Sequence, residues 1–231
     1  MWNFGTISVC PFEMGNSLVL VSAEHSFKVK PMGLFDFIFG SKRQSSVHVS
    51  DDRIWMTQNA KISGIKQQIR QKSDSAAILL VAHFEETLQQ LRSITAGDNA
   101  EKPVQLILAE DIKSDTARLN PEANSVIDLI VAERHPLKSA DAALLLIAEG
   151  TPCRCRVAYH LSLEDPLFKL FLSGSLKNLL EQLGMKEEEP IESPMVSRSV
   201  KKAQQRVEKQ AFGNSRAKSA AEWLELNMPN S

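Results

Sequence analysis

The chain has 231 residues, enough for one or two domains and a sizeable core. Hydrophobic residues make up 43% and charged residues 24%, the balance of a soluble globular protein. A formal net charge of −1 excludes global attraction to nucleic acid or anionic lipid, so any such binding needs a local patch.

The cysteines are Cys10, Cys153 and Cys155. That odd, low count describes no disulfide framework and points to a reducing compartment. No apolar run reaches the ~18 residues of a spanning helix. The longest, Ala142 to Ala148, has the length of a core element and is expected to be buried.

In chain order, residues 1–31 lack the basic start and cleavage site of a secretory signal. Met14 and Met32 are alternative starts, and Met32 to Lys42 reads as a natural beginning. Residues 1–31 then read as a misplaced start or a disordered extension. Leu34, Phe35, Phe37, Ile38 and Phe39 suit peripheral membrane contact or packing against the body of the protein. Ser41 to Ser50 is a Ser-rich linker, so residues 1–50 form an extension and linker, partly disordered.

Thr57 is an N-cap for a helix with Ile62, Ile65 and Ile69 on one face. Ala76 to Ala82 is a short continuous apolar run, the mark of a strand buried on both faces. Leu88, Leu91 and Ile94 follow at helical spacing. Val104 to Ala109 and Val126 to Ala132 are a second and third buried run. Ser139-Ala140-Asp141 opens a helix through Leu144, Leu145 and Ile147, which Gly150 closes, and Cys155 to Leu161 is a fourth run. Apolar runs alternating with helical patterns predict βαβ units around a small parallel sheet of four strands.

From Asp165 the pattern is helical. Pro166 to Leu172 makes a short helix, and Leu176, Leu179, Leu180 and Leu183 line another that Gly184 stops. Ser193-Pro194 is an N-cap followed by proline at N1. Val196, Val200, Ala203 and Val207 form the narrow stripe of a long packed helix. Arg198, Lys201, Lys202, Arg206, Lys209, Arg216 and Lys218 lie nearby with one acid, Glu208. Gly213-Asn214-Ser215 breaks the helix, and Ser219 to Leu226 forms a last turn or two.

Two groups of residues resemble the preprotein translocase SecA. Glu133-Arg134-His135 and Leu161-Ser162-Leu163-Glu164-Asp165 are spaced as in its second motor domain, with Asp141 and Leu144 also matching. Leu183 to Glu208 is similar to the start of its long scaffold helix, and Met32 to Lys42 to its short amphipathic start. The resemblance covers roughly residues 51–210. It implies a RecA-like α/β domain over 51–172, a helical scaffold-like segment over 173–231, and a cytoplasmic place, peripheral to the inner face of the membrane. It also marks Glu133, Arg134, His135, Asp165, Arg198, Lys201 and Lys202 as interaction residues.

The departures carry the functional expectation. The family's phosphate-facing arginines fall on Leu145, Ile147 and Gly150, and none of these neutralises a phosphate. The G-x-x-x-x-G-K-[ST] loop is absent, and Glu110-Asp111 lacks the first motor domain in which a magnesium-holding pair belongs. Loss of an arginine finger alone costs ~10³–10⁵ in rate. No ATPase activity, catalytic residue, cofactor or metal is expected. The partners are proteins, translocase components or precursors, and nucleic acid is not among them.

Other constellations have plainer readings. Cys153 and Cys155 with His160 lack a fourth zinc ligand and read as ordinary thiols entering a strand, though Arg154 and Arg156 would lower their pKa and make them reactive. His83, His135 and His160 end apolar runs, where a structural histidine is the commoner case. The basic face of the long helix suits acidic partners, RNA or anionic lipid, and its plain reading is a solvated face without the aromatics of a single-strand binder. Three functions remain: a catalytically silent export accessory, a binding module unrelated to export, and an enzyme using His83, Glu110, Asp111 and His135 at the strand ends.

Overall fold

All four apolar runs become strands in the computed structural model, which describes residues 46–71, 73–95, 102–112, 125–171, 186 and 188–229. The elements are β1 (Val47–Val49), β2 (Arg53–Trp55), α1 (Gln58–Arg70), β3 (Ala77–Ala82), α2 (Glu85–Thr95), β4 (Val104–Leu108), β5 (Val126–Val131), α3 (Lys138–Glu149), β6 (Arg154–Ser162), α4 (Pro166–Phe171), β7 (Ile191–Glu192), α5 (Pro194–Gln210) and α6 (Ala220–Asn227). The apolar residues Leu34 to Phe39 and the leucines between Leu176 and Leu183 lie outside the described residues.

The sheet is α/β and mostly parallel, as the alternating pattern requires and as a RecA-like domain has. Its order is β4-β3-β5-β6-β2-β7, with β1 also on β6. It has seven strands among the described residues, not four. The three extra strands are two or three residues long, too short to carry a period. β1 and β2 pair in succession along one edge of β6, at Cys155–Val157 and His160–Ser162. β7 adds to β2 and is the one antiparallel strand.

Side-chain alternation distributes the core. Leu79, Val81, Ile127, Leu129, Val157 and Tyr159 meet Leu144 and Ala148 of α3 on one face. Ile78, Leu80 and Ile130 meet Ile65, Ile69, Leu88 and Leu91 of α1 and α2 on the other. A third cluster joins Ile54, Phe84, Leu161 and Phe168 to Val200, Ala203 and Val207 of α5 and Trp223 of α6. The predicted α5 stripe is thus the face that closes on the sheet domain.

Two burial expectations are corrected. Among the described residues β4 has a strand neighbour on one side only, and its only fully buried residue is Ile107. α3 is not buried all round: Asp141, Leu144 and Ala148 are buried, Ala142 and Ala143 are exposed, and Leu146 is 69% exposed. An apolar run reports that a helix has no polar face. It does not report how many sides have neighbours.

Local caps explain the helix starts. Thr57 Oγ1 accepts from the Ala60 N–H at 3.1 Å, and Ser193 Oγ accepts from Met195 at 3.3 Å ahead of Pro194. Ser219 Oγ accepts from Glu222 at 3.2 Å while the Glu222 carboxylate accepts from the Lys218 N–H at 2.6 Å. α3 has no side-chain cap of its own. Glu208 of α5 fills that role by accepting from the Ser139 N–H at 2.6 Å, a carboxylate at a helix N-terminus.

Gly64 lets α1 lie against the buried Trp55, because a Cβ there would overlap the indole ring. The ring cannot swing away without losing its Nε1 bond to His160 Nδ1 at 3.2 Å. Gly64→Ala is expected to cost about 1–3 kcal/mol by overpacking. Urea unfolding should show a lower midpoint with an unchanged slope, whereas the exposed neighbour Ser63→Ala should leave the midpoint within about 0.5 kcal/mol of the parent.

Candidate functional site

β3, β4 and β5 end at one edge of the sheet, where the order reverses direction between β3 and β5. Open parallel sheets take ligands at such a reversal, outside the carboxyl ends of the strands. A cleft of about 930 Å³ opens there. His83 and His135 line it from the ends of β3 and β5, Glu110 from the end of β4, and Ala143 and Ile147 from α3. Residues 214–218 border it from the chain's C-terminal region, with Arg216 ion-paired to Glu110 across its mouth.

Behind the cleft the Glu133-Arg134-His135 run is built into the protein's interior. Arg134 is buried and reaches two carboxylates, Asp52 Oδ1 at 2.6 Å through Nη2 and Asp141 Oδ2 at 3.0 Å through Nη1. Its guanidinium carbon lies 3.3 Å from the Tyr159 ring centroid. Gln204 Nε2 donates to Asp141 Oδ2 at 2.7 Å and to the His135 carbonyl at 2.8 Å, and the Asp52 N–H donates to Ser197 Oγ at 2.8 Å. One cation therefore joins the β1–β2 junction, β6, α3 and α5. Burial raises the Asp52 pKa despite Arg134. Burial also pushes Asp141 upward, but His83, Arg134 and Gln204 outweigh it and hold that carboxyl below its usual range.

Glu133 serves a different element. Its Oε1 accepts from the His83 and Phe84 N–H groups at 3.0 and 3.1 Å, and its Oε2 from Thr87 Oγ1 at 2.8 Å. It is thus a carboxylate cap on α2 supplied from β5. Burial raises its pKa against those bonds.

His135 packs among His83, Phe84 and Trp223, with ring centroids 5.2–5.4 Å apart. Burial and the neighbouring His83 pull its pKa down to about 4. Its Nδ1 already accepts the Leu137 N–H at 2.9 Å. His83 Nε2 lies 2.8 Å from Asp141 Oδ1, off the line of a good hydrogen bond. His160 sits apart from this group, beside Trp55 and Gln68.

The second anchor is a turn. Asp165 Oδ2 accepts from the Ser162 N–H at 2.8 Å, and its Oδ1 takes Lys61 Nζ at 3.0 Å and Gln58 Nε2 at 2.5 Å. It ties the end of β6 to the start of α1. Among the residues that the resemblance marks, Glu133, Arg134 and Asp165 are buried, His135 is partly buried, and Arg198, Lys201 and Lys202 are exposed along α5. Asp52, Tyr159, Ser197 and Gln204 escape the sequence reading. Their only signal is indirect: an arginine inside a fold needs buried acids.

Of the cations at the cleft, Arg134 and Arg216 are paired with carboxylates, while Lys218 also lines it from the C-terminal region. Arg134 is committed to Asp52 and Asp141, Arg216 to Glu110, and α3 carries apolar residues toward the cleft. His83 and His135 come together, whereas Glu110 lies on the rim and Asp111 is exposed beside it. No group of three or more metal-binding side chains occurs among the described residues. The plain reading of ordinary thiols stands and the reactive variant is corrected: Cys153 and Cys155 are buried in the core, and burial pushes the Cys155 pKa up to about 11. Arg156 does not activate it, being held by Asp128 and Asp74 at 2.7 Å each.

No protein-family model matches the chain. Among curated proteins, it is 30% identical over 189 residues to the protein translocase subunit SecA of Campylobacter concisus, a match covering 70% of this chain and 22% of that one. It is 37% identical over 109 residues to SecA of Sorangium cellulosum, covering 46% and 11%. SecA of Herminiimonas arsenicoxydans is 35% identical over 136 residues, covering 52% and 14%. The chain thus spans between 11% and 22% of the length of these relatives.

Proposed function

From a chain that is related to the SecA family of protein translocases, we propose a catalytically silent protein that acts through contacts in or near preprotein export. The observation that carries this reading is the commitment of Arg134 to Asp52 and Asp141. The run that resembles a motor anchor serves the fold, and the positions that the resemblance assigns to arginines hold Leu145, Ile147 and Gly150. A phosphate entering the cleft would meet an apolar α3 and an Arg216 already paired to Glu110, with Lys218 as the remaining cation of the lining.

On this reading residues 51–172 are the motor-derived domain and 173–231 the scaffold-derived segment. Glu133, Arg134, His135 and Asp165 support contact surfaces instead of making contacts. Those surfaces are the exposed Ala142, Ala143 and Leu146 of α3 and the Arg198, Lys201 and Lys202 side of α5. The protein would work in the cytoplasm or at the inner face of the membrane. Among the described residues no helix is long and apolar enough to cross a membrane.

Two measurements test the reading. The purified full chain should turn over ATP no faster than a blank, and ATP should leave its melting temperature unchanged. Turnover that survives purification and disappears in His83→Ala would overturn the silent part. Capture from the native cell should enrich translocase components in the membrane fraction. Retention of soluble proteins alone would overturn the export part and favour a free-standing binding module.

A further inference from the structure

α3 turns an apolar stripe to the cleft at the strand ends. Ala140, Ala143, Leu144 and Ile147 recur at helical spacing on one side of the helix, and all four line the cleft. Such a stripe ordinarily meets a protein neighbour. Leu144 does so in the sheet core, but Ala143 is exposed and Ile147 is half-buried. Leu108 and Ala109 at the end of β4 continue the apolar wall. The floor is aromatic, with His135 packed between Phe84 and Trp223 at ring separations of 5.2 and 5.4 Å.

Among the described residues, three acids and the cations Arg216 and Lys218 also line the cleft, and one of these charges is left over. Glu110 pairs with Arg216, and Glu85 with Arg92 at 3.3 Å. Glu222 turns its carboxylate to the Lys218 N–H at 2.6 Å, at the N-terminus of its own helix. The Lys218 ammonium forms no ion pair among the described residues. Its backbone is nevertheless fixed on both sides, because the Lys218 carbonyl also accepts the Glu86 N–H at 3.0 Å. An anchored residue thus holds an unanswered positive charge at the mouth of an apolar cleft.

Small-molecule sites are concave and mostly apolar, with a few polar groups that fix orientation. A volume of about 930 Å³ is room for a ligand of that kind. Its chemistry follows from the lining. An apolar body matches the α3 stripe, and one negative charge matches Lys218. A nucleotide fits worse, since its phosphates would bring several charges to one ammonium among three carboxylates while the α3 stripe offers them no donor. A cationic ligand would find every lining acid already partnered and Lys218 opposing it.

We propose that the cleft at the carboxyl ends of β3, β4 and β5 binds a small amphipathic monoanion of the apolar carboxylate class. Ala140, Ala143 and Ile147 of α3 hold the apolar body, and Lys218 takes the carboxylate. The inference goes beyond the export reading and does not depend on it.

The test is calorimetric titration of the full chain with 4-phenylbutyrate, and with 4-phenylbutanol as its uncharged counterpart. The acid should bind, raise the melting temperature and exceed the alcohol in affinity by about fivefold. In Lys218→Gln the acid should weaken by about that factor while the alcohol is unaffected, so that the two bind alike. Ala143→Trp fills the cleft from an exposed position and should abolish binding of both, with the unliganded melting temperature retained. Lys202→Gln, on the exposed side of α5, should change nothing. No binding of the acid at millimolar concentration would overturn the proposal, as would equal affinity for acid and alcohol in the parent, or full affinity for the acid in Lys218→Gln or in a folded Ala143→Trp. Those failures leave the catalytically silent reading intact. Displacement of the acid by ATP would overturn the proposal in favour of a nucleotide, and it alone would count against that reading as well.

Discussion

Arg134→Ala is expected to cost about 3–5 kcal/mol, enough to leave a domain of ordinary stability largely unfolded. The size of the effect comes from what remains. Asp52 and Asp141 are both buried, and without the guanidinium they face each other's network with no cation between them. The Tyr159 ring also loses the charge stacked on it. Lysine should rescue only part of the loss, because an ammonium cannot bridge two carboxylates in the fixed fork of an arginine. Arg134→Met combined with Asp52→Asn and Asp141→Asn should recover more than Arg134→Lys, since it removes the buried charges instead of stranding them. Urea unfolding of the four proteins reads the order. An Arg134→Ala protein within about 1 kcal/mol of the parent would mean that the hub is not holding the fold. Arg134 would then be free for an outside partner.

That hub also marks the limit of the sequence reading. β3 and β5 were legible because a strand with neighbours on both sides is apolar throughout, as Leu79 to Val81 and Leu129 to Val131 are. The α5 stripe was legible because one face at helical spacing meets the core. Burial of α3 was overestimated because Leu146 has the same side chain whether or not a neighbour covers it. β1, β2 and β7 are too short to have a period, yet β2 positions Trp55 and the junction before it supplies Asp52. The site residues divide in the same way. Glu133, Arg134 and Asp165 stand out by motif, but a motif does not reveal direction, and all three side chains point inward. Asp52 lies 82 residues before Arg134 and Gln204 lies 63 residues after Asp141. Contacts at such separations follow from strand order, and no local pattern encodes them.

Mild acid should unfold the protein through two histidines that are built to stay neutral. Burial first, then the charges of Arg53 and Lys61, pull His160 down to about 3, and burial with His83 pulls His135 to about 4. The hydrogen bonds agree with those directions. His160 Nδ1 accepts the Trp55 indole N–H at 3.2 Å while Nε2 lies 2.6 Å from Gln68 Oε1, which fixes the neutral tautomer with its proton on Nε2. A second proton would set N–H against N–H. Both pKa values are depressed from the unfolded value of about 6.5. Their contribution is therefore fully present above that value and is lost as pH falls toward about 4 for His135 and about 3 for His160. In that window the unfolded chain binds the extra protons, so each histidine adds a slope of about 1.4 kcal/mol per pH unit. Glu133 and Asp52 oppose them, because a carboxyl with a raised pKa favours the fold at low pH and loses that contribution as pH rises. The net slope is thus smaller than the sum of the two histidine terms, and the test lies in the difference between proteins. His160→Gln can still accept from Trp55 and donate to Gln68, yet it cannot titrate. Its stability curve between pH 7 and pH 4.5 should be flatter than the parent's by about 1.4 kcal/mol per unit below the unfolded value. Parallel curves would show that His160 takes up its proton inside the folded protein, and that the Trp55–His160–Gln68 arrangement gives way to accommodate it.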